Sequence, residues 1–192
     1  MFYNIIKIIL GPIFSFLYKV KVEGMNNLPK DNGFIICANH ISALDPILVA
    51  AALPVRISFL AKNELFKNFI LKYILNSLEM IPVKRGEADL KSIKLSLKVL
   101  SQKKVLGIFP EGTRNVTGNL KAEPGVSMLA IRSKVVVVPI AIKSDYKFFR
   151  KTTIVIGEPR GFDEYYDQKL STDDYKSLSA NLMKDINDLI TR

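Results

Sequence analysis

Short apolar runs alternate with helical patterns along most of this chain. The runs have the length of strands, and one of them contains four successive valines, Val135 to Val138, which is typical of a strand buried on both faces. The alternation predicts an α/β fold: a largely parallel mixed sheet of about six to seven strands flanked by helices. The predicted strands are 34–38, 57–61, 80–83, 104–109, 135–142 and 152–157, and the predicted helices are 46–52, 65–78, 89–101, 126–133 and a C-terminal segment that starts near Ser171.

The length of the chain and the absence of a linker-like segment indicate one core. With 192 residues, of which 48% are hydrophobic, the chain can bury a sizeable core, and no linker-like segment divides it. We therefore predict a single α/β domain over residues 21–192, preceded by an N-terminal interfacial helix over residues 1–20.

The charge of the chain indicates an anionic partner. The net charge is +10, which suits nucleic acid, a phospholipid surface or a phosphorylated metabolite. The absence of Trp, of Arg-rich tracts and of a base-stacking module argues against nucleic acid. A mean hydropathy of +0.17 is high for a soluble protein, so a phospholipid membrane is the favoured partner.

The N-terminal apolar stretch is short. Residues 8–18 are uncharged and lie between Lys7 and Lys19, giving about eleven apolar residues where a spanning helix needs about twenty. The basic flanks favour a helix that lies in the membrane interface, and the alternative is a core helix kinked at Gly11 and Pro12.

A second apolar helical pattern, residues 65–78, has two interpretations. It is either an amphipathic helix packed on the sheet or a helix whose apolar face enters lipid while Lys67 and Lys72 meet anionic headgroups. If the lipid interpretation holds, both segments form one exposed patch beside the site, on the side where the strands end. Its predicted members are Phe66, Phe69, Ile70, Tyr73, Ile9, Ile13 and Phe16, rimmed by Lys19, Lys67 and Lys72.

The single cysteine and single histidine exclude two kinds of site. Cys37 lies inside an apolar run, so we interpret it as a buried strand residue, and no intramolecular disulfide can form. One His and one Cys do not make a zinc site, so we predict no metal and favour the reducing cytosol.

The segment from Asn39 to Asp45 contains the material of a general base. His40 directly follows a predicted strand, where open α/β sheets place their sites, and Asp45 lies close enough to orient its ring. A structural interpretation is also open, because Asp45 before Pro46 suits a helix N-cap and Ser42 could brace the turn.

A second segment, Phe109 to Arg114, follows another predicted strand. Arg114 suits a phosphate because its planar fork donates two parallel hydrogen bonds. Glu111 could accept from a substrate hydroxyl or hold a basic side chain, or it could pair with Arg114 across the turn. Lys84 and Arg85 add positive charge at the end of a further strand.

Four blocks in order resemble the glycerolipid acyltransferase family, whose best-known members are 1-acyl-sn-glycerol-3-phosphate acyltransferases. The first two blocks match the family's His-x4-Asp signature, from His40 to Asp45, and its second signature, from Phe109 to Arg114. The other two are residues 82–85, which look like its intermediate block, and 138–141, which look like its last, apolar block. The similarity runs from about residue 22 to about residue 157.

The resemblance implies an O-acyltransferase. In that family the His deprotonates an acceptor hydroxyl that attacks a thioester directly, so His40 and Asp45 are the implied catalytic residues. The implied substrate-binding residues are Lys84, Arg85, Glu111, Gly112, Thr113 and Arg114. The implied donor is acyl-CoA or acyl carrier protein, with no cofactor, and the implied acceptor is lysophosphatidic acid. The expected location is the cytoplasmic face of the cell membrane, as a peripheral or monotopic protein.

Two alternatives remain open at this point. The acceptor could be glycerol 3-phosphate or another lysophospholipid, because the motifs define the chemistry better than the acceptor. The chain could also be a non-catalytic membrane-binding protein of the same fold, although the presence of both His40 and Asp45 argues against this.

Overall fold

A computed structural model describes residues 2–30, 32–84, 89–114 and 122–192, within which one seven-stranded sheet is flanked by helices. The strands are β1 Val20–Glu23, β2 Ile35–Ala38, β3 Ile57–Lys62, β4 Ile81–Val83, β5 Val105–Ile108, β6 Val137–Lys143 and β7 Thr152–Ile156. The α-helices of the described ranges are α1 Phe2–Tyr18, α2 Asp45–Ala52, α3 Phe69–Ser77, α4 Leu90–Ser101, α5 Gly125–Ser133 and α6 Thr172–Thr191. The predicted α/β fold with a mixed, largely parallel sheet is confirmed.

The strand order is β1-β7-β6-β2-β5-β3-β4, and every neighbouring pair is parallel except β6 with β7. Consequently β2 to β6 all end at one edge of the sheet, which we call the carboxyl edge. The two remaining strands, β7 and β1, run the other way and begin at that edge. The segments that follow β2 to β6 and the segments that precede β7 and β1 therefore all lie at the carboxyl edge.

Each face of the sheet carries its own apolar core. Successive residues of β2 alternate between them, with Ile35 and Cys37 on one side and Ile36 and Ala38 on the other. Helices α4, α5 and α6 cover the first face, and α1 and α2 cover the second. Cys37 is fully buried, as predicted, and burial raises the pKa of its thiol.

Helix α1 runs the full height of the sheet. Near its start, the Tyr3 hydroxyl accepts the N–H of Ile57, where β3 begins, at 3.0 Å. At its end, the Leu17 carbonyl accepts the N–H of Phe149 at 2.6 Å, at the carboxyl edge. The helix is continuous through Pro12. Its outer side exposes Ile8, Ile9, Ile13 and Phe16. Within the described ranges, no helix is both long and apolar enough to cross a bilayer.

The predicted helix 65–78 is wrong in its boundaries. The chain forms a 3₁₀ turn over Asn63–Lys67, and α3 begins only at Phe69. Asn68 causes the break, because its side-chain oxygen accepts the N–H groups of Ile70 and Leu71 and so caps a new helix. No residue of α3 is buried. Phe69 is 85% exposed, whereas Phe66, predicted to share the exposed patch, is half-buried in the preceding turn.

Candidate active site

The two sequence motifs meet because β2 and β5 are parallel neighbours that end at the carboxyl edge. Asn39 extends the pairing of β2 with β6 by one residue through its side chain. Its amide donates to the Ile142 carbonyl at 3.0 Å, and its carbonyl oxygen accepts the Ile142 N–H at 2.7 Å. This anchor fixes the point at which the backbone leaves the sheet, so His40 projects from the end of the strand.

His40 and Asp45 form a buried hydrogen-bonded pair. The distance from His40 Nδ1 to Asp45 Oδ2 is 2.7 Å, and the same oxygen accepts the N–H groups of Ile41 and Ser42 at 2.7 Å each. Asp45 is fully buried and His40 is 9% exposed. Because a carboxylate only accepts, the neutral imidazole carries its proton on Nδ1, and the lone pair of Nε2 is the one that can take a proton.

Asp45 does not cap helix α2. The N-cap position is Leu44, which has no side-chain capping bond, and the Asp45 carboxylate is directed back to the loop that precedes it. Ser42 does brace this turn, since its hydroxyl oxygen accepts the Leu44 N–H at 3.2 Å. The local fold of the loop thus depends on the same carboxylate that holds the imidazole.

Tyr146, in the loop between β6 and β7, holds the other carboxylate oxygen. Its hydroxyl donates a hydrogen bond to Asp45 Oδ1. Burial, together with the neighbouring Asp45 carboxylate, raises the pKa of the Tyr146 phenol, so the group remains a protonated donor. Sequence reasoning missed this residue. It lies 101 positions from Asp45, in the loop that follows β6 at the carboxyl edge, and no motif connects the two residues in the sequence.

An aromatic stack supports the imidazole. The ring of His40 lies on Phe109 with centroids 4.3 Å apart, and Phe109 lies on Phe59 with centroids 5.5 Å apart. Gly107 faces Phe59 across the strand pair and leaves room for its ring, because a Cβ there would lie 2.3 Å from the ring carbons. The only sequence signal for this arrangement was a glycine within an otherwise apolar strand.

The second motif is tied directly to the first. Glu111 Oε2 accepts the backbone N–H of His40 at 2.7 Å. The turn that presents Glu111 is closed by a 3.1 Å hydrogen bond from the N–H of Gly112 to the Phe109 carbonyl. Gly112 has a φ of +65°, a left-handed conformation that other residues adopt only with strain. The turn therefore needs this glycine in order to present Glu111 to His40.

Two of the basic side chains predicted to bind substrate, those of Arg114 and Lys84, lie at the same edge. Thr113 and Arg114 are exposed at the end of the turn that follows β5. Lys84 is exposed after β4, which lies two strands from β5 in the sheet, and its N–H donates to Asp89 Oδ2 at 2.9 Å. Arg85 lies outside the described residues. The site thus combines a proton acceptor with cationic side chains at one edge, an arrangement that suits removal of a proton from a hydroxyl group of an anionic substrate.

Comparisons with known proteins agree with this geometry. Residues 19–143 match the family described as Acyltransferase. The chain is 35% identical over 162 residues to a 1-acyl-sn-glycerol-3-phosphate acyltransferase of Bacillus subtilis, covering 81% of this chain and 79% of that one. A protein of the same name from Borreliella burgdorferi is 31% identical over 143 residues, covering 71% of this chain and 56% of that one.

A solved structure agrees as well. The crystal structure of the 1-acyl-sn-glycerophosphate acyltransferase PlsC from Thermotoga maritima is similar with a TM-score of 0.77 and 25% identity, over 99% of this chain and 80% of that one. The family match covers well over half of the chain, and the matched segment includes both motifs. The chain therefore belongs to the Acyltransferase family.

Proposed function

We propose that this enzyme moves a fatty acyl group from a thioester donor, acyl-CoA or acyl carrier protein, to the sn-2 hydroxyl of 1-acylglycerol-3-phosphate, giving phosphatidic acid. The observation that carries the proposal is the 2.7 Å bond between His40 and Asp45 at the edge that also presents Arg114 and Lys84. The names of the relatives from Bacillus subtilis and Borreliella burgdorferi support the same acceptor.

The chemistry requires one base. His40 Nε2 takes the proton of the acceptor hydroxyl as its oxygen attacks the thioester carbonyl. The tetrahedral intermediate then collapses, the carbon–sulfur bond breaks, and the imidazolium returns its proton to the departing thiolate. Asp45 stabilises the imidazolium between these steps, and a thioester is sufficiently activated that positioning plus one base accounts for the reaction. No residue of the chain is acylated on this route.

The phosphate of the acceptor is the proposed ligand of the basic groups. Arg114 offers a bidentate fork, while Lys84, which follows β4, and its sequence neighbour Arg85 offer further positive charge. Glu111 cannot bind phosphate, and its bond to the His40 N–H supports a different contribution. It holds the backbone of the base, so that the imidazole and the phosphate-binding turn move as one piece.

The acceptor is a membrane lipid, so the base has to reach the headgroup layer. Four exposed phenylalanine side chains of the described residues lie at the carboxyl edge: Phe16 and Phe149, whose rings are 5.8 Å apart, Phe148 beside Phe149, and Phe69 at the start of α3. Together with the apolar outer side of α1 they support peripheral or monotopic docking at the cytoplasmic membrane face, with that edge toward lipid. The net charge of +10 favours anionic lipids.

The test is an acyl-transfer assay of the purified chain on anionic vesicles. Lysophosphatidic acid, glycerol 3-phosphate and lysophosphatidylcholine would each be offered with acyl-CoA and with acyl carrier protein. We expect lysophosphatidic acid to be acylated fastest, and a His40→Ala preparation serves as the blank. Faster acylation of another acceptor, or no acyl transfer with either donor, would overturn the proposal.

A further inference from the structure

Asp45 is held at both carboxylate oxygens, but only one of them is held by its own motif. Oδ2 accepts from His40, Ile41 and Ser42, all within five residues, whereas Oδ1 accepts from the hydroxyl of Tyr146. We propose that Tyr146 is a positioning residue for the His40–Asp45 pair, which fixes the plane of the carboxylate and thereby the tautomer and direction of the imidazole. This inference rests on the proposed function for its kinetic consequence, and Tyr146 lies beyond the family match at residues 19–143.

The physical need for a second anchor follows from burial. Asp45 is fully buried, so water cannot take the place of a missing donor at Oδ1. A carboxylate held at a single oxygen can rotate about its Cβ–Cγ bond, and each rotation changes the direction in which Oδ2 meets Nδ1. A donor on the second oxygen removes that freedom. The outcome is an imidazole whose Nε2 keeps one direction toward the acceptor.

Tyr146 is itself fixed by its loop. Its backbone has a φ of +52°, and its N–H donates to Ser144 Oγ at 3.0 Å. Ser144 Oγ lies 2.7 Å from the hydroxyl of Thr152, at the start of β7. The loop is thus tied to the sheet on the side from which the Tyr146 ring extends to Asp45.

The end of α1 packs against Tyr146 and its loop from the other side. The ring of Tyr18 meets the ring of Tyr146 edge-on with centroids 5.8 Å apart, and it also packs against Phe148. The bond from the Phe149 N–H to the Leu17 carbonyl clamps the loop to the helix. The tyrosine hydroxyl on Asp45 is therefore presented by a loop that the interfacial helix supports.

The decisive variant is Tyr146→Phe, which keeps the ring and its contact with Tyr18 but removes the hydroxyl. Because His40 is the only histidine of the chain, a histidine-selective ¹⁵N label gives a single imidazole in NMR spectra. We expect the wild type to show the tautomer protonated on Nδ1, and Tyr146→Phe to lose part of that population. Tyr175→Phe on α6, on the other face of the sheet, is the matched control.

The kinetic arm uses the same three proteins. For Tyr146→Phe we expect kcat to fall about tenfold to a hundredfold, with KM for both substrates unchanged. The melting temperature should also fall, because the buried Asp45 Oδ1 loses its donor. Unchanged tautomer populations together with an unchanged kcat would overturn the inference. A lower kcat with an unaltered imidazole would overturn it as well, because the loss of rate would then not act through the position of the His40 ring. An inactive wild type would count against the proposed function alone, since the NMR arm still decides the role of Tyr146.

Discussion

The backbone N–H of His40 donates to the carboxylate of Glu111 across 2.7 Å, although 71 residues separate them in the chain. The two motifs of the family are therefore parts of one structure, in which the turn after β5 supports the loop after β2. We propose that Glu111 affects the reaction by holding the backbone of His40 in place. Suitable variants can distinguish this role from an effect of the Glu111 charge.

Replacing Glu111 tests that separation. Glu111→Gln keeps an oxygen that can accept the His40 N–H, whereas Glu111→Ala leaves that donor without its partner. We expect Glu111→Ala to lower kcat at least tenfold and Glu111→Gln to lose clearly less, because an unmade bond to a charged acceptor costs about 1.5–3 kcal/mol. The measurement is kcat on vesicles, with melting temperatures as the control for folding. Equal losses in both variants would assign the effect to charge.

Substitutions of the catalytic pair test the assignment of His40 as the base. His40→Ala should lose acyl transfer by at least ~10², the usual contribution of a general base. Asp45→Asn should keep the fold but lose much of the rate, because the amide can favour the wrong imidazole tautomer. Rates and circular dichroism of the two variants would be compared with those of the wild type. More than about a tenth of the wild-type rate in His40→Ala would contradict the assignment.

The phosphate assignment predicts a split between the two substrates. Arg114→Ala should raise KM for lysophosphatidic acid several-fold while leaving KM for the acyl donor nearly unchanged. Arg114→Lys should also be impaired, since a point charge does not replace a bidentate fork. Lys176→Ala, an exposed cation on α6, is the control. Equal changes in both KM values would indicate that Arg114 has a structural role.

Two Gly→Ala substitutions test how tightly the aromatic stack is packed against the sheet. Gly107→Ala places a Cβ 2.3 Å from the Phe59 ring, whereas Gly125→Ala, at the start of α5, meets nothing within 4 Å. We expect Gly107→Ala to lower the free energy of unfolding by about 1–3 kcal/mol, the usual cost of overpacking a core. Gly125→Ala should be neutral or slightly stabilising. Urea unfolding of both variants measures this, and equal stabilities would show that the strand pair adjusts freely.

The docking proposal predicts that exposed apolar side chains contribute to vesicle binding only if they lie at the carboxyl edge. Phe69→Ser at the carboxyl edge should reduce co-sedimentation with anionic vesicles, while Met25→Ser, after the end of β1 at the opposite edge, should not. High salt should release the wild type only in part, and detergent should release it completely, because charge and apolar burial act together. Complete release by salt would leave no role for inserted side chains.

Periodicity was sufficient to predict the sheet and most helices because buried strands and amphipathic helices leave local patterns in a sequence. The pairing of β2 with β5 explains why His40 and Glu111 could be recognised as one site from their positions after strands. The break at Asn68 was missed because an apolar repeat ran across it, although an Asn before Phe69 is a capping signal. Tyr146 was not predictable, since it lies in a loop without a periodic pattern and contacts a residue 101 positions away in the chain.

The position of β7 between β1 and β6 in the sheet sets an order of events during synthesis. Strand β1 pairs only with β7, and the adjoining residues Asn27 and Ile156, joined by a hydrogen bond, are 129 positions apart. At about 5–20 residues per second, the ribosome completes β7 on the order of ten seconds after β1. During that interval β1 lacks the strand it pairs with, while α1 can already contact α2 and the start of β3. We expect a ribosome-bound chain stopped before Thr152 to bind vesicles already, so that the helix meets lipid before the Tyr146 loop closes over Asp45.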